Sequence, residues 1–386
     1  MASAKIPWFP SSWRSRQTLQ QPDYADSGQL DRILAEIRRN GSLVTPKECA
    51  ALRDACAAAA SGEAFIVQAG DCAESLDQDA VAAAETTTEL IATLSDAVGG
   101  EAVSIARIAG QFAKPRSEPF EARDGMSLPS YRGDAINGLP FDLEARRHDP
   151  ARLLAAYRHS AATLGHLHRL DRRPYTSHEA LVLPYEESLL SQDEDGRWWS
   201  GSAHMLWIGE RTRQVNGGHI QFASGIENVV GVKCGPSLGT DELVHLADKL
   251  DPARVAGKLL LIGRFGAKII EDCLPPLLRA SRREGLAATW MIDPMHGNTR
   301  HYEGRKQRRI TDMIEEVRAF FAICRSEGVD GVGIHLEVTA GAGSECIGPD
   351  GRDPMADFPC DPRLNAEQAR YLVGLAASLR RVPAEA

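Results

Sequence analysis

The chain has 386 residues, an apolar fraction of 43% and a formal net charge of −9 at pH 7. That length bounds the fold to one large domain or two, with ample chain for a buried core. The acidic balance argues against a general nucleic-acid binder; the N-terminus has no apolar signal segment, and no run is apolar for long enough to span a membrane. Eight scattered cysteines without a CxxC pair read as reduced, mostly buried thiols of a cytoplasmic protein. HExxH, GxGxxG and Walker-A patterns are absent, which removes the familiar short zinc and nucleotide motifs.

Residues 1–28 are rich in Pro, Ser and Gln and read as an exposed arm. With the two helices that follow, they form an N-terminal extension over 1–60, ahead of the main domain over 61–386. Leu30, Ile33, Leu34 and Ile37 recur at helical spacing, and Asn40-Gly41 stops them. Thr45 then caps a second helix, with Pro46 in its first turn. From residue 64 one phrase repeats: a short apolar run, a polar ending, an amphipathic helix. The runs are 64–74, 103–117, 179–186, 205–213, 229–236, 258–266, 289–298 and 331–339. Strands alternating with helices imply a parallel sheet with right-handed crossovers. Eight such units imply a closed (β/α)8 TIM barrel with its site at the C-terminal strand ends. The stretches 118–150 and 187–203 read as surface excursions, and the tail reads as a closing helix capped by Asn365.

Polar residues at those strand ends fall into two sets. Cys72, His296 and Glu337 each end an apolar run, and Asp361 precedes the last helix. One thiolate, one imidazole and two carboxylates suit a borderline divalent ion such as manganese, cobalt, iron or zinc in a Lewis-acid role. Each of these residues, taken singly, is as readily a core thiol or a satisfied hydrogen-bonder. The second set is Arg107, Lys114, Arg116, Arg211, Lys233 and Arg264, cations that interrupt or end apolar runs, where a charge needs a partner. Arginine geometry fits phosphate or carboxylate bidentately, so this many cations point to small phosphorylated substrates, two of them. Glu210 either orients Arg211 or is its ion-pair partner.

The strings QQPDY, GDCAES, ARIAGQFAKPRS, SYRGDAING, TSHEALVL, WIGERTRQ, GVKCGP, DPMHGNT, GIHLE and CDPRLN resemble, in order, the signature of the type II (plant-like) 3-deoxy-D-arabino-heptulosonate 7-phosphate (DAHP) synthases. The resemblance runs over residues 13–370. It implies a (β/α)8 barrel that condenses phosphoenolpyruvate with erythrose 4-phosphate and releases phosphate, the entry step of the shikimate pathway. By the resemblance, Cys72, His296, Glu337 and Asp361 match the ligands of a divalent ion, manganese or cobalt. Arg107, Glu210, Arg211, Lys233 and Arg264 match the phosphoenolpyruvate site, and Lys114, Arg116 and Ser117 the erythrose 4-phosphate site. Cys72, Arg107, Lys233, His296 and Glu337 form the catalytic set. The N-terminal arm suits a subunit interface, and a homo-oligomer is expected.

The chain departs from long members of this family between 155–170 and 176–183, where only DRRPY connects the two segments. Relatives of primary metabolism carry a helical insertion there that binds aromatic amino acids. Its absence implies a short form serving secondary metabolism, such as phenazine pathways, without that inhibition. An aminoDAHP synthase using an imino sugar phosphate, and a catalytically silent homologue acting as a binding partner, are the rival readings. If Asp361 is a ligand, Cys360 lies near Cys72, and loss of metal lets the two thiols oxidise to a disulfide; a buried packing thiol is the alternative for Cys360.

Overall fold

The computed structural model describes residues 7–123, 125–302, 305–341, 345–349 and 360–381; the first six residues of the arm lie outside them. The strands β1 (Phe65–Gly70), β2 (Ala102–Arg107), β3 (Tyr175–Glu179), β4 (Met205–Ile208), β5 (Val229–Cys234), β6 (Leu259–Gly263), β7 (Thr289–Ile292) and β8 (Gly331–Glu337) are parallel. Each pairs with its sequence neighbours and β8 returns to β1, closing the expected (β/α)8 barrel. Helices α1 (Ser27–Asn40) and α2 (Pro46–Ala60) precede it. Then α3 (Ala80–Asp96), α4 (Ala151–Leu167), α5 (Leu183–Ser188), α6 (Gly218–Ala223), α7 (Thr240–Leu250), α8 (Ile270–Arg283), α9 (Ile310–Ser326) and α10 (Ala366–Arg380) follow the eight strands in turn. Among the described residues no helix is long and apolar enough to cross a membrane.

The caps act where the sequence puts them. Thr45 and Glu48 form a reciprocal capping box at the start of α2, and Asn365 does the same with Gln368 at α10. Each such cap is worth about 1 kcal/mol. Inside the barrel, Ile66, Ile105, Met205, Trp207, Ile262 and Met291 form one cluster with Leu52, Cys56 and Ala59 of α2. The cluster includes Ala64 and Val229, at the strand beginnings, so α2 closes the N-terminal mouth. Alternate residues point outward: Val230, Val232 and Cys234 of β5 pack with Leu243, Leu246 and Ala247 of α7 in the layer between sheet and helices.

Three expectations change. The third strand lies earlier than 179–186: β3 is Tyr175–Glu179, and the apolar run after it leaves the sheet to enter α5. Leu181, Val182 and Tyr185 pack instead with Ile37 of α1 and Leu153 and Tyr157 of α4. The polar segment Thr-Ser-His-Glu forms the strand because Thr176, Ser177 and His178 find buried partners in His204, Gln68 and Glu186. Ser177 Oγ, for instance, accepts from Gln68 Nε2 (3.0 Å) and donates to Ala106 O (3.0 Å). Second, the arm is laid against the barrel: Trp13 is 5% exposed and donates Nε1–H to Glu187 Oε2 at 2.8 Å. Third, the two excursions are built structures. Each contains an antiparallel hairpin, Phe120–Arg123 with Met126–Pro129 and Leu190–Gln192 with Trp198–Ser200. The first also buries Arg146, whose guanidinium donates to the carbonyls of Pro129, Leu139 and Pro140.

Candidate active site

Strand register turns scattered residues into one layer at the C-terminal end of the barrel. Gly70 of β1 lies between Arg107 of β2 and Glu337 of β8, and Gln68 is the partner of His335. Gly70 has φ +147°, and a Cβ there would sit 2.8 Å from Arg107 O. A glycine therefore lets the flanking side chains meet: Arg107 Nη2 donates to Glu337 Oε1 at 3.1 Å. Above this layer opens a cavity lined among others by Cys72, Arg107, Lys114, Glu179, Arg211, Lys233, Arg264, His296, Glu337 and Asp361.

Three of the four expected ligands converge: one donor atom each from His296, Glu337 and Asp361 lies within 4.8 Å of the others. Asp293 sets the imidazole. Its Oδ2 accepts His296 Nδ1–H at 2.7 Å, so in the neutral ring the Nε2 lone pair faces Glu337 Oε1, 3.4 Å away. Electron-rich atoms facing each other at this spacing call for a cation, and the residues fit a divalent ion. Lys114 supplies positive charge beside them, with Nζ against Asp361 Oδ2 and 3.6 Å from Glu337 Oε1. Burial opposes both carboxylate charges, but Lys114 and Arg308 outweigh it and hold Asp361 and Glu337 far below the usual range. Cys72 lines the same cavity but is not one of the three converging residues. Its hydrogen bond with Cys360, together with burial, raises its thiol well above the ordinary value, while the same bond brings Cys360 down to about 7.

The cations divide by partner. Lys233 contacts Asp293 Oδ2, and burial brings it down to about 8 although Asp293 pulls the other way. Arg264 donates to Glu210 Oε2 (3.2 Å) and to His296 O (3.3 Å). Glu210 is thus not the partner of Arg211: its oxygens take Arg264, Arg213 and Ser237. Arg211 reaches across to Ser117 Oγ. Arg116 points away from the cavity, pairing with Glu121 at 3.1 Å on the first hairpin. Of the expected sugar-phosphate set, Lys114 lines the cavity, Ser117 stands at its edge through Arg211, and Arg116 stays outside it.

A model of the class-II DAHP synthetase family matches residues 8–173 and 167–377. The chain belongs to that family. A phospho-2-dehydro-3-deoxyheptonate aldolase of Streptomyces coelicolor is 37% identical over 440 residues, spanning 96% of this chain and 97% of its own. A probable phospho-2-dehydro-3-deoxyheptonate aldolase of Pseudomonas fluorescens is 41% identical over 377 residues, spanning 92% and 93%. The solved structure of the phospho-2-dehydro-3-deoxyheptonate aldolase of Francisella tularensis SCHU S4 shares the fold, with a TM-score of 0.56 at 16% identity over 90% of this chain and 96% of that one.

In this class-II DAHP synthetase site, several side chains escaped sequence reasoning. Glu179 ends β3 inside the cavity, and among the described residues its Oε1 has no hydrogen-bond partner. It lies over Gly209, where a Cβ would come within 2.1 Å of Oε1. Burial raises its carboxyl although Lys233 and Arg211 lower it. His335 Nε2 accepts from Arg107 Nη1 (2.8 Å), since a guanidinium only donates, and its Nδ1–H goes to Gln68 Oε1 (2.7 Å). Arg308 pairs with Glu337 Oε2 at 2.7 Å, and Lys306 with Asp361 Oδ1 at 2.6 Å. Glu316 of α9 joins two loops: it accepts the N–H groups of Phe265 and Gly266 and the amide of Asn298, setting Arg264 beside His296. His335 alone carries a sequence signal, a polar residue within an apolar strand; Glu179, Lys306, Arg308 and Glu316 lie outside such strands.

Proposed function

We propose that the chain catalyses the metal-dependent condensation of phosphoenolpyruvate with erythrose 4-phosphate to DAHP and phosphate. The observation that carries the reading is one cavity in which Arg107, Lys114, Arg211, Lys233 and Arg264 surround the group His296, Glu337 and Asp361. Arg107, Arg211, Lys233 and Arg264 face the carboxylate and phosphate of phosphoenolpyruvate and stay opposite them while charge redistributes. Glu210 holds Arg264 in place. Lys114, Arg116 and Ser117 take erythrose 4-phosphate, which requires Arg116 to leave Glu121. Cys72, His296, Glu337 and Asp361 would hold the divalent ion, with manganese first and cobalt as a substitute; when bound it supplies Lewis-acid polarisation of the aldehyde oxygen. The methylene carbon of phosphoenolpyruvate bonds to the aldehyde carbon, water adds at the carbon bearing phosphate, and phosphate leaves. Glu179 takes the proton of that water, because among the described residues its Oε1 has no partner and burial raises its carboxyl. The oxygens of Glu210 are already engaged.

The protein acts without aromatic feedback, in a cytoplasmic homo-oligomer serving secondary metabolism. Helix α4 ends at Leu167 and β3 begins at Tyr175, so 168–174 alone connect them. The Streptomyces coelicolor alignment runs over more positions than this chain has residues, whereas the Pseudomonas fluorescens alignment does not. Cys49, Cys56, Cys72, Cys234, Cys273, Cys324 and Cys360 are reduced thiols, in keeping with a reducing compartment. The test is phosphate release from the two substrates, abolished by a chelator and restored by manganese or cobalt. No release with any aldose phosphate would overturn the reaction. Inhibition by low-micromolar Trp, Phe or Tyr would overturn the unregulated reading.

A further inference from the structure

Gln20 and Gln21 belong to the string QQPDY, which none of the chemistry above uses. Their side-chain amides make reciprocal pairs with main chain. Gln20 donates Nε2–H to Arg116 O (3.1 Å) and accepts Arg116 N–H on Oε1 (3.0 Å). Gln21 donates Nε2–H to Leu181 O (2.7 Å) and accepts Leu183 N–H on Oε1 (3.1 Å). An amide that gives to and takes from main chain in this way copies the rung of a strand ladder, so each glutamine serves as the missing neighbour of a loop. Arg132 fixes the dipeptide from behind, donating to Gln20 O and, at 3.2 Å, to Gln21 O.

The backbone shows the same constraint. Gln20 has φ +60°, a left-handed conformation unfavourable for a residue with a Cβ, and its surroundings hold it there. Gln21 is followed by Pro22, which confines it to extended backbone. The dipeptide therefore bridges the loop after β2, which carries Lys114, Arg116 and Ser117, to the loop after β3, two residues beyond Glu179.

We infer that Gln20 and Gln21 are positioning residues through which the N-terminal arm sets the acceptor end of the cavity and its selectivity for the aldose phosphate. The inference rests on the proposed reaction for the identity of that substrate. The test uses full-length Gln20→Ala and Gln20→Glu. The second is nearly isosteric, and it places an oxygen against Arg116 O. In both, KM for erythrose 4-phosphate rises by at least about tenfold, while kcat and KM for phosphoenolpyruvate stay within about twofold. An unchanged KM for erythrose 4-phosphate, or an equal rise in both KM values, overturns the inference. Hydrogen exchange without substrates separates the two readings. The amide of Arg116 exchanges faster in Gln20→Ala, with the barrel strands unchanged, if the clamp exists; unchanged exchange at 114–118 overturns the clamp whatever the substrate. Faster exchange in a protein whose wild type turns over no aldose phosphate overturns the substrate assignment and establishes the clamp.

Discussion

Asp293→Asn tests the core of the site. The carboxylate is 0% exposed and four donors meet it: Met295 N–H (3.0 Å) and His296 N–H (3.2 Å) on Oδ1, His296 Nδ1–H (2.7 Å) and the Lys233 ammonium on Oδ2. Asparagine can keep both backbone bonds on its oxygen but sets an NH2 where Oδ2 accepted two donors. His296 then turns the Nδ1 lone pair to that amide and carries its proton on Nε2, the atom that faces Glu337 Oε1. Loss of such a supporting partner costs about 10–100-fold in metal affinity, roughly 1.4–2.7 kcal/mol. Lys233 loses its counter-charge as well, and its pKa, already about 8 through burial, falls further. A larger share of it is then neutral at pH 7.5, and KM for phosphoenolpyruvate rises. The assay is calorimetric titration of chelator-treated protein with Mn²⁺, beside phosphate release at saturating metal. Manganese affinity within about twofold of wild type, together with an unchanged KM for phosphoenolpyruvate, would refute the role given to Asp293.

The same lysine gives a pH dependence. Lys233 is charged below about 8 and neutral above it, so KM for phosphoenolpyruvate climbs as pH rises through 8; a flat KM to pH 9.5 contradicts the assignment. Glu179→Gln removes the proposed proton acceptor while keeping its shape, so kcat drops about 10²–10⁴-fold with both KM values little changed; steady-state kinetics at pH 7 decide it, and an unaffected kcat shifts the role elsewhere. Cys72 and Cys360 share a hydrogen bond, with Cys360 brought down to about 7. Hydrogen peroxide added to chelated enzyme therefore joins the two sulfurs, with two waters formed, and activity returns on adding thiol and manganese. Cys360→Ser should resist that loss, and recovery of oxidised wild type by metal alone would count against the disulfide.

Much of the barrel was legible in the sequence because its signals are local. A run such as Leu259–Gly263 between two amphipathic helices reads as a buried strand, and Thr45 with Glu48 reads as a helix start, whatever the rest of the chain does. The strand ends with unsatisfied charge, from Arg107 to Glu337, were legible for the same reason: a charge closing an apolar run needs a partner. Which partner it finds is a matter of register, and register is not local. Only closure of β8 onto β1 sets Glu337 and Arg107 on either side of Gly70. Only packed loops decide that Glu210 holds Arg264 and Arg213 and leaves Arg211 to Ser117. The third strand was misplaced because its inward face is polar and the apolar run after it serves α1 and α4, a tertiary demand overriding the local pattern. Glu179 and the Gln20–Gln21 clamp escaped for the same reason, since a carboxylate inside a cavity, or an amide standing in for a strand, is defined by what surrounds it in space.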